Sequence, residues 1–274
     1  MKGEKRSKVR KAGMLAAEAL AVAAPFLVIS LVSLNTTSNS GYDNLDYGEP
    51  AYSDYVTNRI GYALGFVNEW KQPKWVAYRL TPTEASSKDS GRSDRFMDDH
   101  TIPGGAAELS DYRRSGYDRG HLAPAGDMRW SKTAMADSFL MSNMSPQKPE
   151  FNRGIWCNLE RHLRALSAKG KTLFIYTGPI FSPNVATNKI GRNGVLVPHA
   201  FYKAVLDETS NEDAIAFYIP NNGTNAPLSI FAMPIDALEN LTGLDFFSTL
   251  PEEVQEKLES RTYIPHWGLK GEMP

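Results

Sequence analysis

Hydrolysis of a phosphodiester needs a base to activate water, cations to take up charge on the phosphoryl oxygens, and something to stabilise the departing alkoxide. A bound metal ion can do the last task and share the second. Residues 111–160 hold groups of every one of these types. His121 is the base candidate, because a neutral imidazole accepts a proton near pH 7. Arg119 stands two residues before it with a guanidinium shaped for phosphate oxygens, and Gly120 between them lets the backbone run close to a substrate. Asn152 and Glu160 offer oxygen donors of the kind hard Mg²⁺ prefers. On one continuous helix their separation would turn about 800°, which sets them roughly 80° apart on neighbouring faces, able to share a hydrated ion. By residue type alone, Asp118-Arg119-Gly120-His121 also reads as a surface turn held by an Asp–Arg pair.

Charge gives a mixed message. The 274 residues carry a formal −1, but residues 1–40 hold six of the basic and two of the acidic groups, leaving 24 basic and 29 acidic in the rest, a net −5. A nucleic-acid binder usually leans the other way. From Asp111 to Lys132 the balance is five basic to three acidic, so the local field there is positive. A single cysteine, Cys157, excludes an internal disulfide framework and any multi-cysteine zinc site; its apolar setting reads as a buried, inert thiol.

The elements that must position these groups are legible as patterns. Residues 1–40 run basic, then apolar from Ala12 to Leu34, then polar, the layout of an export signal or an N-terminal membrane anchor. That layout sends the body out of the cytoplasm, to the periplasm, the exterior or the outer face of a membrane, with membrane or export machinery as a partner. Residues 41–60 read as a linker and 61–274 as one catalytic domain. Tyr62–Val67 and Trp75–Leu80 predict a hairpin, and 82–116 a long loop region. A short helix is expected over Ser131–Met141, and a longer one where Ile155, Leu159, Leu163 and Leu166 recur at helical spacing until Gly170. Strand-like runs follow at 172–176, 195–197, 201–206, 214–219 and 229–232, then helices near 236–241 and 252–260. Strands and helices without βαβ alternation predict an α+β domain around a mainly antiparallel sheet.

Several blocks together carry a family resemblance. Tyr117-Asp118-Arg119-Gly120-His121-Leu122-Ala123-Pro124 resembles the signature of the DNA/RNA non-specific endonucleases of the ββα-metal (His-Me finger) superfamily. Leu140 to Gln147 resembles the family's second block, and Asn152 to Trp156 with Leu159-Glu160 its third. Tyr176 to Pro179, Val197-Pro198, Tyr202-Lys203 and Leu241 to Phe247 continue the likeness, which spans roughly 62–258 in unbroken order.

The resemblance implies a sequence-tolerant endonuclease that uses Mg²⁺, with Mn²⁺ as substitute, on DNA and RNA to leave 5′-phosphate ends. It implies His121 as general base, Asn152 as the one direct protein ligand of the metal, and Glu160 as the acid that holds metal-bound waters. Arg119 and Arg92 match arginines that bind the phosphate, with Arg95 a rival for the second place. Asn143 matches a residue that helps organise the base, and Asp118 is read as ordering the turn. Relatives are often dimers, and an inhibitor protein is a further expected partner.

The remaining candidates have plainer readings. His199 beside a strand and His266 beside Trp267 read as structural, and His162 as an exposed helix position. Lys203 reads as a strand lysine with its head in solvent, and Asp98 and Asp99 as supports of the loop carrying Arg92. Two other functions stay open at this stage: a catalytically silent nucleic-acid-binding module, and a phosphodiesterase for small substrates, which the negative body would suit.

Overall fold

The computed structural model describes residues 42–182, 186–210 and 213–270. The expected N-terminal signal or anchor lies outside these residues. Among the described residues no helix is long and apolar enough to cross a membrane.

The centre is a seven-stranded antiparallel sheet in the order β1-β2-β3-β6-β9-β10-β11. Its strands are β1 (Tyr55–Asn58), β2 (Ala63–Val67), β3 (Gln72–Leu80), β6 (Leu173–Ile180), β9 (Ala200–Asp207), β10 (Ala214–Pro220) and β11 (Ala232–Met233). Two short pairs stand apart from it: β4 (Asp118–His121) with β5 (Met144–Gln147), and β7 (Lys189–Ile190) with β8 (Val195–Leu196). The helices are α1 (Pro82–Ser86), α2 (Leu109–Tyr112), α3 (Lys132–Ser138), α4 (Cys157–Ala168), α5 (Ile235–Thr242) and α6 (Glu252–Glu259).

Both faces of the sheet are covered, which is why its central strands are apolar at nearly every position instead of alternating. In β9, Phe201 and Val205 face a cluster shared with Trp156, Leu159 and Leu163 of the α4 side. Tyr202, Ala204 and Leu206 face a second cluster with Ile235, Leu238, Phe246, Phe247 and Leu258 of the α5–α6 side. The spacing of Leu159 and Leu163 places both on the inner stripe of α4, and each fully buried side chain of this size contributes about 1.5–3 kcal/mol.

The α+β architecture and the hairpin of β2 and β3 agree with the sequence. The segment 41–60 does not behave as a linker. Tyr55–Asn58 pairs with β2 as the edge strand, Asn44 donates to Asn58 Oδ1 and the Arg59 carbonyl, and Tyr47 packs edge-on to Phe174 and Phe247. Its Tyr, Asp and Gly content looked like loop because a four-residue edge strand offers little alternation to read. Residues 229–232, expected as a strand, form a 3₁₀ turn over Leu228–Phe231 with β11 beginning only at Ala232.

Candidate active site

β4, held by its pairing with β5, and helix α4 supply most of the polar residues gathered at the candidate site. β4 pairs with β5 so that Gly120 lies opposite Ser145 and His121 opposite Met144. Gly120 permits this pairing: a Cβ there would lie 2.1–2.4 Å from the buried Gln147 side chain. Gly120→Ala is therefore expected to destabilise the fold by about 1–3 kcal/mol and to displace His121, read as a lower denaturant midpoint together with lost activity.

Just before α4, Phe151–Trp156 forms a wide, π-helical turn that breaks at Gly154 (φ −101°, ψ −112°). Asn152 and Glu160 thus do not share a continuous helix, and the 80° expected from regular geometry does not apply. They meet because the break turns Asn152 toward the same hollow that Glu160 faces. That hollow is a cleft of about 550 Å³, lined among others by Arg92, Arg119, His121, Asn152 and Glu160. Residues separated by up to 72 positions in sequence are gathered there.

His121 sits edge-on to Phe139 (ring centroids 4.8 Å apart) and near Phe96 (5.6 Å). Its Nε2 is buried with no partner, which leaves Nδ1 as the ring nitrogen open to the cleft. Burial first, then the positive charges of Arg92 and Arg119, push the imidazole down to about 3, so it is uncharged throughout the neutral range and able to accept a proton. The same two aromatic rings steady the cations: Arg119 lies 4.0 Å over Phe96 and Arg92 5.2 Å over Phe139. Arg92 also pairs with Asp94 at 2.6 Å. Between the two rival arginines, Arg92 lines the cleft and Arg95 does not.

Asp118 performs the ordering part read from the sequence, on a partner the sequence did not identify. Its Oδ2 accepts from Asn152 Nδ2 at 2.9 Å, and both its oxygens accept from Arg153. With Nδ2 so engaged, Asn152 Oδ1 is left free. Glu160 Oε1 is buried and unpartnered, and burial raises its carboxyl above the ordinary range against the pull of Lys203. A free amide oxygen and an orphaned buried carboxylate oxygen are an all-oxygen donor set, and they fit a hard divalent ion such as Mg²⁺. Asn143 is fully buried and not part of the cleft wall. It accepts from the Ala123 amide and donates to the Ala123 and Ser138 carbonyls, which fixes the chain just beyond His121. Its role is positional.

Some expectations fail here. Lys203 is fully buried, not solvated: its Nζ donates to Thr177 Oγ1 at 3.3 Å and lies 4.6 Å from the Trp156 ring. Burial pushes its ammonium down while Glu160 and Asp127 pull it up. With Asp127, Arg164 and Tyr78, whose hydroxyl donates to Asp127 Oδ2 at 3.1 Å, it forms a charged layer beneath Glu160. Lys203→Met would leave two buried carboxylates with too little positive charge, at a cost of about 3–5 kcal/mol. Equilibrium unfolding would detect this, and residual activity would fall because Glu160 loses the nearby positive charge that favours its ionised form.

Cys157 also departs from its reading. It is half-buried and lines the cleft. His162, expected on an exposed face, is part-buried with its Nε2 2.7 Å from the Trp267 carbonyl. His199 and His266 hold local structure as expected, the first against Ser182, the second against Asp207. Asp99 supports its loop through Arg59 and Thr101, and Asp98 through the Leu109 amide.

The charge question is answered by location. Five arginines (92, 119, 153, 161 and 164) line the cleft against two carboxylates, Asp118 and Glu160. Three of the five come from the turn and helix after residue 150, not from the basic run at 111–132 that drew attention in the sequence.

Comparison with known proteins gives a consistent result. The family model described as DNA/RNA non-specific endonuclease matches residues 41–253. A mitochondrial nuclease of Saccharomyces cerevisiae is 36% identical over 234 residues, covering 77% of this chain and 71% of its own. Mitochondrial endonuclease G of Homo sapiens is 34% identical over 213 residues, covering 73% of this chain and 71% of its own. A crystal structure titled as the EndoG/EndoGI complex superposes with a TM-score of 0.73 at 32% identity, over 80% of this chain and 94% of that one.

Proposed function

The chain belongs to the DNA/RNA non-specific endonuclease family and is a metal-dependent nuclease, and on that premise we propose that it cuts DNA and RNA internally with Mg²⁺, using His121 as its base. The observation that carries this reading is the gathering of His121, Arg92, Arg119, Asn152 and Glu160 on one cleft wall.

In this reading His121 Nδ1 takes the proton of the attacking water, while Phe96 and Phe139 keep the ring in place and neutral. Arg119 and Arg92 hold the non-bridging phosphate oxygens, and Arg92 gives up Asp94 for the phosphate when substrate enters. Asn152 Oδ1 would hold Mg²⁺ directly and Glu160 would hold it through water. When bound, the ion supplies positive charge against the leaving oxygen. Asp118 keeps the Asn152 amide turned the right way, and hydrolysis leaves 5′-phosphate ends.

Residues 1–40 act as an export signal or membrane anchor that carries the catalytic domain out of the cytoplasm, supported by their basic, apolar, polar order. The domain itself begins near residue 42, since the family match starts at 41 and β1 completes the sheet. An inhibitor protein that covers the arginine-lined cleft is a fitting partner, a reading supported by the solved relative, which was crystallised in an EndoG/EndoGI complex described as one of EndoG inhibition.

The test is cleavage of circular plasmid and of RNA with Mg²⁺ or with EDTA. Cutting that persists in EDTA, or no cutting of either substrate, would sink the reading. The arginine assignment has its own check: Arg92→Ala should lower kcat/KM by about 10–100-fold, consistent with about 1.5–3 kcal/mol for a charge-assisted bond. Arg95→Ala should change it little, and the reverse ranking would exchange their roles.

A further inference from the structure

We propose that Asp236, Glu239 and Glu259 form a second cation site, remote from the cleft, that takes a calcium-class divalent ion and clasps α5 to α6. One carboxylate oxygen from each of the three lies within 4.8 Å of the others. Asp236 and Glu239 are three residues apart on α5 and so share a face, and Glu259 is the last residue of α6. The two helices pack against each other and against β10.

Acidic clusters are common and mean little by themselves. What singles this one out is Glu259, which is only 5% exposed and whose Oε1 is buried with no partner. A carboxylate in that position costs several kcal/mol unless something positive meets it. None of the ion pairs among the described residues includes any of the three. Glu239 spends one oxygen on the Phe246 amide at 2.7 Å and keeps the other. The charge of Asp245 adds to the same negative field. Three carboxylates this close, one of them buried and unpartnered, need a proton or a cation among them.

Geometry favours the cation. Calcium takes carboxylate oxygens at about 2.3–2.6 Å in flexible arrangements, which suits three oxygens from two helices that lie within 4.8 Å of one another. Magnesium demands near-ideal octahedral geometry and is reluctant to shed water, so a half-buried carboxylate triad suits it less. The site shares no residue with the cleft wall and belongs to the opposite face of the sheet, the side of Ile235, Leu238 and Leu258.

The test titrates metal-free protein with CaCl₂ and follows thermal unfolding, both in the natural sequence and in Asn152→Ala, so that ions in the cleft do not contribute. At a hundred times its Kd, Ca²⁺ should lower the unfolding constant about 100-fold and raise Tm by about 5–10 °C in both. Glu259→Gln and, separately, Glu239→Gln should weaken the apparent affinity by at least about 10-fold while leaving Mg²⁺-dependent cleavage unchanged. Asp236→Asn gives the same readout if either glutamate variant does not fold. An equal Ca²⁺ response in these variants would overturn the proposal. So would natural protein that ignores Ca²⁺ and instead gains stability as pH falls from about 8 to 6, the behaviour of carboxylates sharing protons.

Discussion

His121→Ala should lower kcat by about 10²–10⁴-fold while the protein stays folded and still binds nucleic acid. The expectation follows from the division of labour in the cleft. The arginines that hold the phosphate and the oxygens suited to the metal come from other segments, so removing one imidazole leaves both intact. The ring packs on Phe96 and Phe139, and losing those contacts costs stability only modestly because the site opens to solvent on the Nδ1 side. A fall in binding equal to the fall in rate would mean that His121 organises the cleft instead of taking a proton.

The pH profile makes the same claim sharper. An ordinary histidine would set an acid limb in kcat/KM near pH 6.5. His121, pushed down to about 3 by burial and by Arg92 and Arg119, stays unprotonated well below that. At saturating Mg²⁺ the limb assignable to this base should therefore lie below about pH 5. Stability falls with acid as activity does, but over a higher pH window. Between about pH 6.5 and 3 the unfolded chain binds a proton at this residue that the folded chain refuses, so stability falls as pH drops through that window. His121→Ala should remove this part of the acid sensitivity, which denaturant midpoints at several pH values would measure.

How far the sequence carried these conclusions depended on the kind of signal. The stripe of Leu159 and Leu163, ended near Gly170, is a local pattern, and α4 lies where it predicts. The Asp-Arg-Gly-His run led to the cleft because four adjacent residues of one strand stay adjacent in the fold, and Asp118, Arg119 and His121 all line it. What failed was whatever depended on partners distant in sequence. Lys203 lies between Phe201 and Val205 on a strand whose alternate residues, Tyr202, Ala204 and Leu206, are apolar too. A strand apolar on both registers is covered on both faces, so its lysine had to be buried. That signal was present in the sequence, and the default of a snorkelling lysine hid it.

Other failures had no local signal to find. Nothing near Asp127 announces that it will meet Arg164 and Tyr78, from elements 37 and 49 residues away. The break at Gly154 is equally silent, because a glycine at the head of an apolar repeat reads as the start of a helix. Regular helical geometry then assigned Asn152 and Glu160 to neighbouring faces, which gave the right association through the wrong construction. In the proposed site the amide oxygen of Asn152 takes a place that a carboxylate could fill.

That substitution of an amide for a carboxylate motivates the second large effect. Asn152→Ala should reduce activity at about millimolar Mg²⁺ by at least 10²–10³-fold, since it removes the one side-chain oxygen on the turn, and loss of even an indirect partner costs about 10–100-fold in metal affinity. Raising the metal concentration should recover part of the rate, because Glu160 and the arginines remain. Asn152→Asp is the more informative variant. It keeps a ligand oxygen and adds charge, so in isolation it should bind Mg²⁺ more tightly. Here it would lose the Nδ2 donor to Asp118 Oδ2 and set two carboxylates about 3 Å apart. One of them must then take up a proton or turn away, and Arg153, already engaged by both oxygens of Asp118, cannot serve both. The expected result is weaker metal binding than in the natural protein at neutral pH, with Asp118→Asn on top of Asn152→Asp recovering much of the loss. Direct Mg²⁺ titration of the three variants would decide it. Tighter binding by Asn152→Asp alone would show that Asp118 does not orient the amide, and the metal assignment built on that orientation would fall with it.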